Sequence, residues 1–177
     1  IFNLAAETHV DRSIDEPINF INTNINGTFN LLEALRFLKK KKISPKLVHI
    51  STDEVYGDIK MKFRSDEKYR YEPSSPYSAS KASADHLVKS YIRTYKIKAT
   101  ISNCCNNYGP YQFPEKLIPL VTLKALHRKK IPVYGTGNNI RDWLHVNDHV
   151  EAIIKLTMKG KTGEQYCIGG NNEKTNL

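Results

Sequence analysis

The sequence has 177 residues, enough for one hydrophobic core and short for two, and its 27 Lys and Arg against 18 Asp and Glu give a formal charge of +9. Because no apolar run approaches ~18 residues, the composition predicts no membrane span. Its three cysteines, Cys104, Cys105 and Cys167, have neither disulfide nor metal-ligand spacing, so we expect no metal and a reducing, cytoplasmic compartment.

The excess of positive charge predicts a polyanionic partner, either nucleic acid or the diphosphate of a sugar nucleotide. The densest basic run, Lys39–Lys42, follows a predicted helix, where cations complement the helix C-terminus. Aromatic residues do not alternate with these lysines as base-stacking platforms would require. We therefore predict no nucleic-acid partner.

The first 110 residues alternate predicted strands and helices. Strands are predicted at 1–5, 46–51 and 97–102, helices at 17–38 and 76–95, and polar or charged loops at 7–13 and 58–72. The helix at 17–38 is amphipathic, since its apolar residues recur at three- and four-residue steps. This order predicts an α/β fold, namely the second half of a Rossmann-like doubly wound parallel sheet.

After residue 110 the pattern changes. We predict a helix at 117–126, short strands at 131–134 and 166–168, a turn at 135–139 and a helix at 148–159. Asn147 is the predicted N-cap of the last helix, and Trp143 and His145 are interpreted as packing residues. The chain is thus predicted to divide into a sheet region, 1–110, and a smaller, incomplete α/β substrate-binding region, 111–177.

Tyr77 and Lys81 are the first candidate functional pair. Ser75 is a suitable N-cap and Pro76 fills the first helical position, so residues four apart in this helix emerge from one face. A phenol with a pKa near ~10 is a poor base at neutral pH, but a neighbouring ammonium lowers that pKa. The spacing therefore indicates a proton-transferring tyrosine; the alternative is a packed ring beside a solvated charge.

Thr52, Asp53 and Glu54 follow the predicted strand at 46–51. In an open α/β sheet the carboxyl ends of the strands face the ligand crevice. An acid, a base and an activated phenol in one crevice can move several protons in one reaction cycle. The alternative is a capped loop with solvated carboxylates.

These motifs carry a resemblance to a known family. Tyr77-x-x-x-Lys81 resembles the signature of the short-chain dehydrogenase/reductase superfamily, and residues 51–57, Ser-Thr-Asp-Glu-Val-Tyr-Gly, resemble its nucleotide-sugar 4,6-dehydratase branch. Segments 4–13, 106–119 and 141–146 agree with the same branch, so the resemblance runs along the whole chain.

The resemblance implies a set of site residues. The implied catalytic residues are Thr52, Asp53, Glu54, Tyr77 and Lys81. The implied NAD contacts are Leu4, Ala5, Ala6, Glu7, Thr8, Thr23, Tyr77, Lys81 and Asn107. The implied substrate contacts are Thr8, Thr52, Asn106, Lys116, Leu117, Pro132, Val133, Tyr134, Arg141 and Asn176. Arg141 also has support from chemistry alone, because a guanidinium can bind a diphosphate through two parallel hydrogen bonds; the alternative is a surface ion pair.

The resemblance also implies a reaction, in which a nucleoside-diphosphate glucose loses water and becomes a 4-keto-6-deoxy sugar nucleotide. Tyr77 takes the proton of the 4-hydroxyl while a hydride passes to NAD, Glu54 takes the C5 proton, and Asp53, as a neutral acid, protonates the departing 6-hydroxyl. The hydride then returns to C6. A neutral Asp53 at pH 7 requires burial or a nearby carboxylate.

Several alternatives stay open. A nucleotide-sugar epimerase or decarboxylase and a catalytically inert sugar-nucleotide-binding module are the competing interpretations, and the base is thymine or uracil. The family resemblance implies a homodimer formed through the helices at 17–38 and 76–95. Because no glycine-rich strand-turn-helix unit precedes Ile1, we expect the chain to be an internal part of a longer protein.

Overall fold

The computed structural model describes residues 1–59, 63–133 and 135–175. Its strands are β1 (Phe2–Asn3), β2 (Leu47–Thr52), β3 (Ala99–Cys104), β4 (Asn106–Tyr108), β5 (Ile140–His145), β6 (Gln165–Ile168) and β7 (Glu173–Thr175). Its helices are α1 (Val10–Asp15), α2 (Pro17–Phe20), α3 (Gly27–Lys40), α4 (Pro76–Tyr95), α5 (Leu117–Leu126) and α6 (Val146–Lys159). Two predicted substrate contacts, Tyr134 and Asn176, lie outside the described residues.

The chain packs into two compact units. The first contains residues 1–104 and 153–168, and the second contains residues 105–152 and the described residues that follow 168. Strand β6 belongs to the first unit because it pairs with β3. The functional division predicted at residue 110 stays a prediction, since these units are defined by packing alone. None of the described helices is long and apolar enough to cross a membrane.

The first unit is organised around a parallel sheet with the strand order β1-β2-β3-β6. Both β2 and β3 are almost wholly buried, which is typical of strands at the centre of a parallel sheet. The predicted α/β fold is therefore confirmed. Because all four strands run in one direction, their carboxyl ends meet at one edge of the sheet, and the turn after β2 lies there.

Helices α3 and α4 complete the core of this unit. Leu32 and Leu35 of α3 pack with Val88 and Tyr91 of α4 and with Ile101 of β3, and all five are buried. Helix α4 begins where predicted, because the Ser75 side chain accepts a hydrogen bond from the Ser78 backbone while the Ser78 hydroxyl accepts one from the Ser75 backbone.

The predicted helix at 17–38 is one continuous helical stretch with an unusual centre. Between α2 and α3, Ile21–Asn26 forms a π-helical segment. The wider winding adds a residue to the helix, and such segments occur often at functional sites. It places Asn24 in the interior, with 2% of its surface exposed.

The second unit pairs β4 with β5 in parallel and β5 with β7 antiparallel. The helix predicted at 117–126 is confirmed as α5. The strand predicted at 131–134 is absent from its described residues, 131–133. Asn147 was predicted as an N-cap, but it lies inside α6, which begins at Val146. Its backbone N–H donates to Nδ1 of His145 at 3.3 Å.

Candidate active site

The turn after β2 carries the first group of predicted site residues. Thr52 ends the strand in extended conformation, and its hydroxyl oxygen accepts a hydrogen bond from the Glu54 backbone at 3.2 Å, which starts a 3₁₀ turn over Asp53–Tyr56. The same Thr52 hydroxyl donates to Oδ1 of Asp53 at 3.3 Å. At Gly57, where φ is 71°, a side chain would collide with the carbonyl of Glu72, so this turn requires glycine.

The phenol of Tyr77 faces that turn from the first turn of α4. Tyr77 is 7% exposed, and its side chain hydrogen-bonds that of Thr52. Burial raises the pKa of Tyr77 well above its ordinary value, the charge of Glu54 raises it further, the hydrogen bond to Thr52 lowers it, and the charge of Asp53 adds a smaller increase. Thr52, Asp53 and Glu54 therefore all influence the pKa of the same hydroxyl.

Lys81 is buried one helical turn beyond Tyr77, and its ammonium donates to the Ile50 carbonyl of β2 at 2.7 Å. Burial lowers the pKa of Lys81, while the charge of Asp85 raises it. The sequence predicted that Lys81 would lower the pKa of Tyr77. In the chain by itself that pKa is raised instead, because burial dominates.

A buried carboxylate that sequence reasoning missed lies beyond Lys81 on the same helix. Oδ2 of Asp85 accepts hydrogen bonds from the hydroxyls of Ser51 and Tyr71, both at 2.8 Å, and from the Asn103 amide at 3.2 Å. Its Oδ1 lies 3.3 Å from Nε2 of His49. Burial raises the pKa of Asp85, but the hydrogen bond and charge of His49 and the bonds from Tyr71 and Ser51 outweigh it, so the pKa is lowered.

Asn24 is a second residue that the sequence did not identify. Its Oδ1 accepts from the Glu7 backbone N–H at 2.9 Å, and its Nδ2 donates to the Glu7 carbonyl at 3.0 Å and to the Ser80 hydroxyl at 2.8 Å. Ser80 in turn donates to the carbonyl of Tyr77 at 2.7 Å. Asn24 therefore holds the loop after β1 against the helix that carries Tyr77.

The predicted cofactor contacts of the first unit lie along this loop and on the π-helical segment. Leu4, Ala5 and Thr8 are exposed, whereas Ala6, Glu7 and Thr23 are half-buried. Leu4, which follows the carboxyl end of β1, is apolar and yet 63% exposed. The first unit therefore presents an open, partly apolar surface at the edge where Tyr77 is buried.

The remaining predicted contacts belong to the second unit. Asn106 and Asn107 lie half-buried in β4, and Lys116 immediately precedes α5. Pro132, Val133 and Arg141 are exposed. Leu117 lines a groove of about 360 Å³ whose walls come from β4, α5, β5 and the segment around β7.

Asp142 fixes part of that groove and was not identified from the sequence. Its two carboxylate oxygens accept hydrogen bonds from the backbone N–H groups of Gly170 and Asn172, each at 2.7 Å. The loop that precedes β7 is thereby attached to β5. In the described ranges, no cluster of three or more His, Cys, Asp or Glu side chains could hold a metal ion.

The fold is a Rossmann-like α/β fold, shared with solved structures that cover nearly the whole chain. The family model for GDP-mannose 4,6 dehydratase matches residues 1–177, and the chain belongs to that family.

Individual relatives are more specific. A probable dTDP-glucose 4,6-dehydratase from Sinorhizobium fredii is 52% identical over all of this chain, which covers 52% of the relative. A double mutant of the Streptomyces venezuelae dTDP-glucose 4,6-dehydratase, solved with NAD bound, is 45% identical with a TM-score of 0.93, over 99% of this chain and 53% of that one. A Bacillus cereus UDP-glucuronic acid 4-epimerase is 30% identical with a TM-score of 0.90, over 98% and 55% of the two chains. The chain spans about half the length of the curated relatives it matches.

Proposed function

We propose that the complete protein containing this chain is an NAD-dependent dTDP-glucose 4,6-dehydratase. The observation that carries the proposal is the convergence of Thr52, Asp53 and Glu54 on the buried hydroxyl of Tyr77. Identity above 50% to dTDP-glucose 4,6-dehydratases along the entire chain supports the choice of substrate. Because the chain spans only half of those relatives, the activity is proposed for the whole protein.

The residues of the first unit fit an NAD molecule. The exposed Leu4 offers apolar surface, and Asn24 fixes the backbone of Glu7 beside the Tyr77 helix. When bound, NAD accepts a hydride from C4 of the sugar and later returns it to C6. We assign the contacts with it to residues Leu4–Thr8, Thr23, Tyr77, Lys81 and Asn107.

Tyr77 is the proposed base for the 4-hydroxyl, and Thr52 and Lys81 assist it. Burial and the charges of Glu54 and Asp53 favour the protonated form of Tyr77, whereas the proposed base is its phenolate. A protonated Asp53 carries no charge and no longer raises the pKa of Tyr77. The protonation state of Asp53 required for elimination therefore also favours the phenolate.

The elimination itself needs two carboxyl groups. Glu54 takes the C5 proton, acidified by the ketone at C4, while Asp53 gives its proton to the departing 6-hydroxyl, which leaves as water. After the hydride reaches C6, Glu54 returns its proton to C5. Tyr77 has then gained a proton and Asp53 has lost one.

Thr52 supplies the route by which these two groups are reset. Its hydroxyl hydrogen-bonds the side chain of Tyr77 and also lies 3.3 Å from Oδ1 of Asp53. A hydroxyl can accept one proton while giving another, so the proton gained by Tyr77 passes through Thr52 to Asp53. Each cycle then releases one water and leaves the protein unchanged.

The second unit is proposed to bind the diphosphate and the nucleoside. Arg141 lies directly opposite Lys174 in the antiparallel β5–β7 pair, so two cations share one face. Like charges in this arrangement repel each other, and an anionic diphosphate would relieve that repulsion. Asn106, Lys116, Leu117, Pro132 and Val133 are assigned to the same substrate.

A cytoplasmic homodimer is also part of the proposal. Large apolar side chains are exposed along the helical stretch 17–40, where Ile18 is 62%, Phe29 43% and Phe37 56% exposed. Exposed apolar side chains on one helical stretch fit contact with a second copy of the chain. No nucleic-acid partner is proposed.

An epimerase is the second candidate, because one solved relative has that activity. Epimerisation at C4 requires no elimination of water, and the placement of both Asp53 and Glu54 near Tyr77 favours the dehydratase. The test is to incubate the complete gene product with NAD and dTDP-glucose, with UDP-glucose in parallel. We expect a 4-keto-6-deoxy product from dTDP-glucose. A C4 epimer without loss of water, or no product at all, would refute the proposal.

A further inference from the structure

We propose that Asp85 is a positioning residue, which aligns the Thr52–Asp53–Glu54 turn with Tyr77 and Lys81 and provides the countercharge for Lys81. This inference rests on the proposed function of that site. Asp85 touches none of the reacting atoms and acts through the residues it holds.

The first step of the argument is geometric. Tyr77, Lys81 and Asp85 are spaced four apart on α4, so they share one face of the helix. Asp85 accepts a hydrogen bond from Ser51, the residue immediately before Thr52. Because the Asp85 carboxylate is completely buried, this bond is not exchanged with water. One side chain therefore fixes the distance between the end of β2 and the helix face that carries Tyr77.

The second step concerns charge. Lys81 is 5% exposed, and its ammonium donates to the neutral carbonyl of Ile50. A buried cation requires a nearby anion to stay charged. Burial lowers the pKa of Lys81, and of the groups that oppose this effect Asp85 is the strongest, ahead of Cys104.

The third step is that the groups around Asp85 favour its ionised form. The Asn3 amide lies 3.1 Å from Nδ1 of His49, and an amide NH₂ can only donate. Nε2 of the same ring faces Oδ1 of Asp85 at 3.3 Å. Burial raises the pKa of Tyr71, so this partner stays neutral and donates.

Among the described residues, five titratable groups interact with Asp85. They are His49 on β2, Tyr56 in the turn after β2, Tyr71 in the loop before α4, and Lys81 and Lys89 on α4 itself. Burial lowers the pKa of Lys89 and Asp85 raises it, so Asp85 acts on two cations of one helix. None of the other groups supplies a negative charge at neutral pH.

The test uses Asp85→Asn in the complete gene product, since asparagine keeps the shape and removes the charge. We expect kcat to fall about 10²-fold, because small displacements of catalytic groups have effects of that size. Without the countercharge, the strongest effect that opposes burial is lost, and the pKa of Lys81 falls further. The ammonium is then lost at lower pH, and the alkaline limb of the kcat profile moves down by about one pH unit or more.

Two tyrosine variants form a matched pair. Tyr71→Phe removes one hydrogen bond to Asp85 but leaves its charge, so we expect kcat to fall about fivefold with the alkaline limb unmoved. Tyr91 lies further along α4 than Asp85, and its hydroxyl donates a 2.6 Å hydrogen bond to the carboxylate of Glu33 on α3, which Tyr91→Phe removes. This control should keep kcat within about twofold of the wild type.

Each outcome decides the matter. An unchanged kcat and pH profile in Asp85→Asn overturns the proposal, as does a loss that disappears when rates are expressed per folded, NAD-containing molecule. If Asp85→Asn does not fold, Tyr71→Phe and Ser51→Ala take its place, and wild-type values of kcat in both variants overturn the proposal.

A wild type that forms no 4-keto product refutes the proposed function instead. The pH dependence of NAD affinity, measured by calorimetry, then tests Asp85 independently, and an unshifted profile counts against it.

Discussion

The predicted site residues of the two units differ in how deeply they are buried. In the first unit Tyr77 is 7% and Lys81 5% exposed, and both side chains interact with residues of the same unit, Lys81 with the Ile50 carbonyl and Tyr77 with Thr52. In the second unit Val133 is 53% exposed and Arg141 is exposed, with its guanidinium bonded to the Ile140 carbonyl. The proposed proton-transfer groups are thus buried and held in place, as electrostatic preorganisation requires, whereas the proposed anion-binding groups are exposed. Changes in the first unit should therefore lower kcat, and changes in the second should raise KM.

The largest effect is expected from Tyr77→Phe in the complete gene product. Loss of the proposed base should lower kcat by about 10³-fold, because general base catalysis contributes rate factors of about 10²–10⁴. The measurement is formation of the 4-keto product, with Tyr91→Phe as the control for losing a hydroxyl from the same helix. A kcat within tenfold of the wild type would remove Tyr77 from the mechanism.

Glu54→Gln should follow, with kcat lowered by about 10²-fold or more. Its position near the Tyr77 hydroxyl assigns it the C5 proton, so the reaction run in D₂O gives an independent readout. Wild-type product should carry deuterium at C5, and substrate recovered from Glu54→Gln should carry none. Substrate recovered from Asp53→Asn should still show exchange at C5, because Asp53 acts only on the 6-hydroxyl. Exchange that persists in Glu54→Gln contradicts the assignment.

Arg141→Ala tests the second unit. We expect KM for dTDP-glucose to rise about tenfold with little change in kcat, since one charge-assisted contact to the diphosphate contributes about 1.5–3 kcal/mol. Lys129→Ala, which removes another exposed cation of the same unit, should leave KM unchanged. The comparison between the two units fails if Arg141→Ala acts on kcat alone.

The smallest expected effect compares two glycines with positive φ. Gly57→Ala should destabilise the protein by about 2 kcal/mol or more, because the new side chain would collide with the carbonyl of Glu72 beneath the Asp53–Glu54 turn. Gly135→Ala, with φ of 57° and open space around it, should cost about 1 kcal/mol. Urea unfolding of the two variants measures the difference in their free energies of unfolding. The kcat of Gly57→Ala should fall as well. Equal losses would show that the turn in the first unit is no more constrained than the one in the second.

Much of the fold could be predicted from local pattern. Helices α4 and α5 begin and end where predicted, because Ser75 with Pro76 and the apolar run after Lys116 are strong local signals. Strand β5 and helix α1 were missed, since each is stabilised by pairing or packing with distant residues rather than by periodicity. The wrongly predicted cap at Asn147 has a local origin, because the helix begins one residue earlier, at Val146, and the His145 side chain accepts the hydrogen bond of the Asn147 backbone.

The active-site motifs were visible in the sequence, but their supporting residues were not. Nothing in the local pattern separates Asp85 from an exposed acidic residue on a helix, and Tyr71 lies in a charged segment that was predicted to be exposed. Both become recognisable only when β2, β3 and α4 pack together and their side chains meet. Asn24 was hidden in the same way, because the π-helical winding that turns it inward leaves no signal in the apolar spacing.

The sequence alone determined the residue types at the site, their positions at a strand end and on a helix start, and the alternation that specifies a parallel α/β sheet. Only the tertiary structure decided the charge environment. Burial raises the pKa of Tyr77 and lowers that of Lys81, and the countercharge comes from Asp85, whose own partners lie 14 to 36 residues away in the chain. Desolvation depends on everything that surrounds a group, so it cannot be computed from neighbours in sequence.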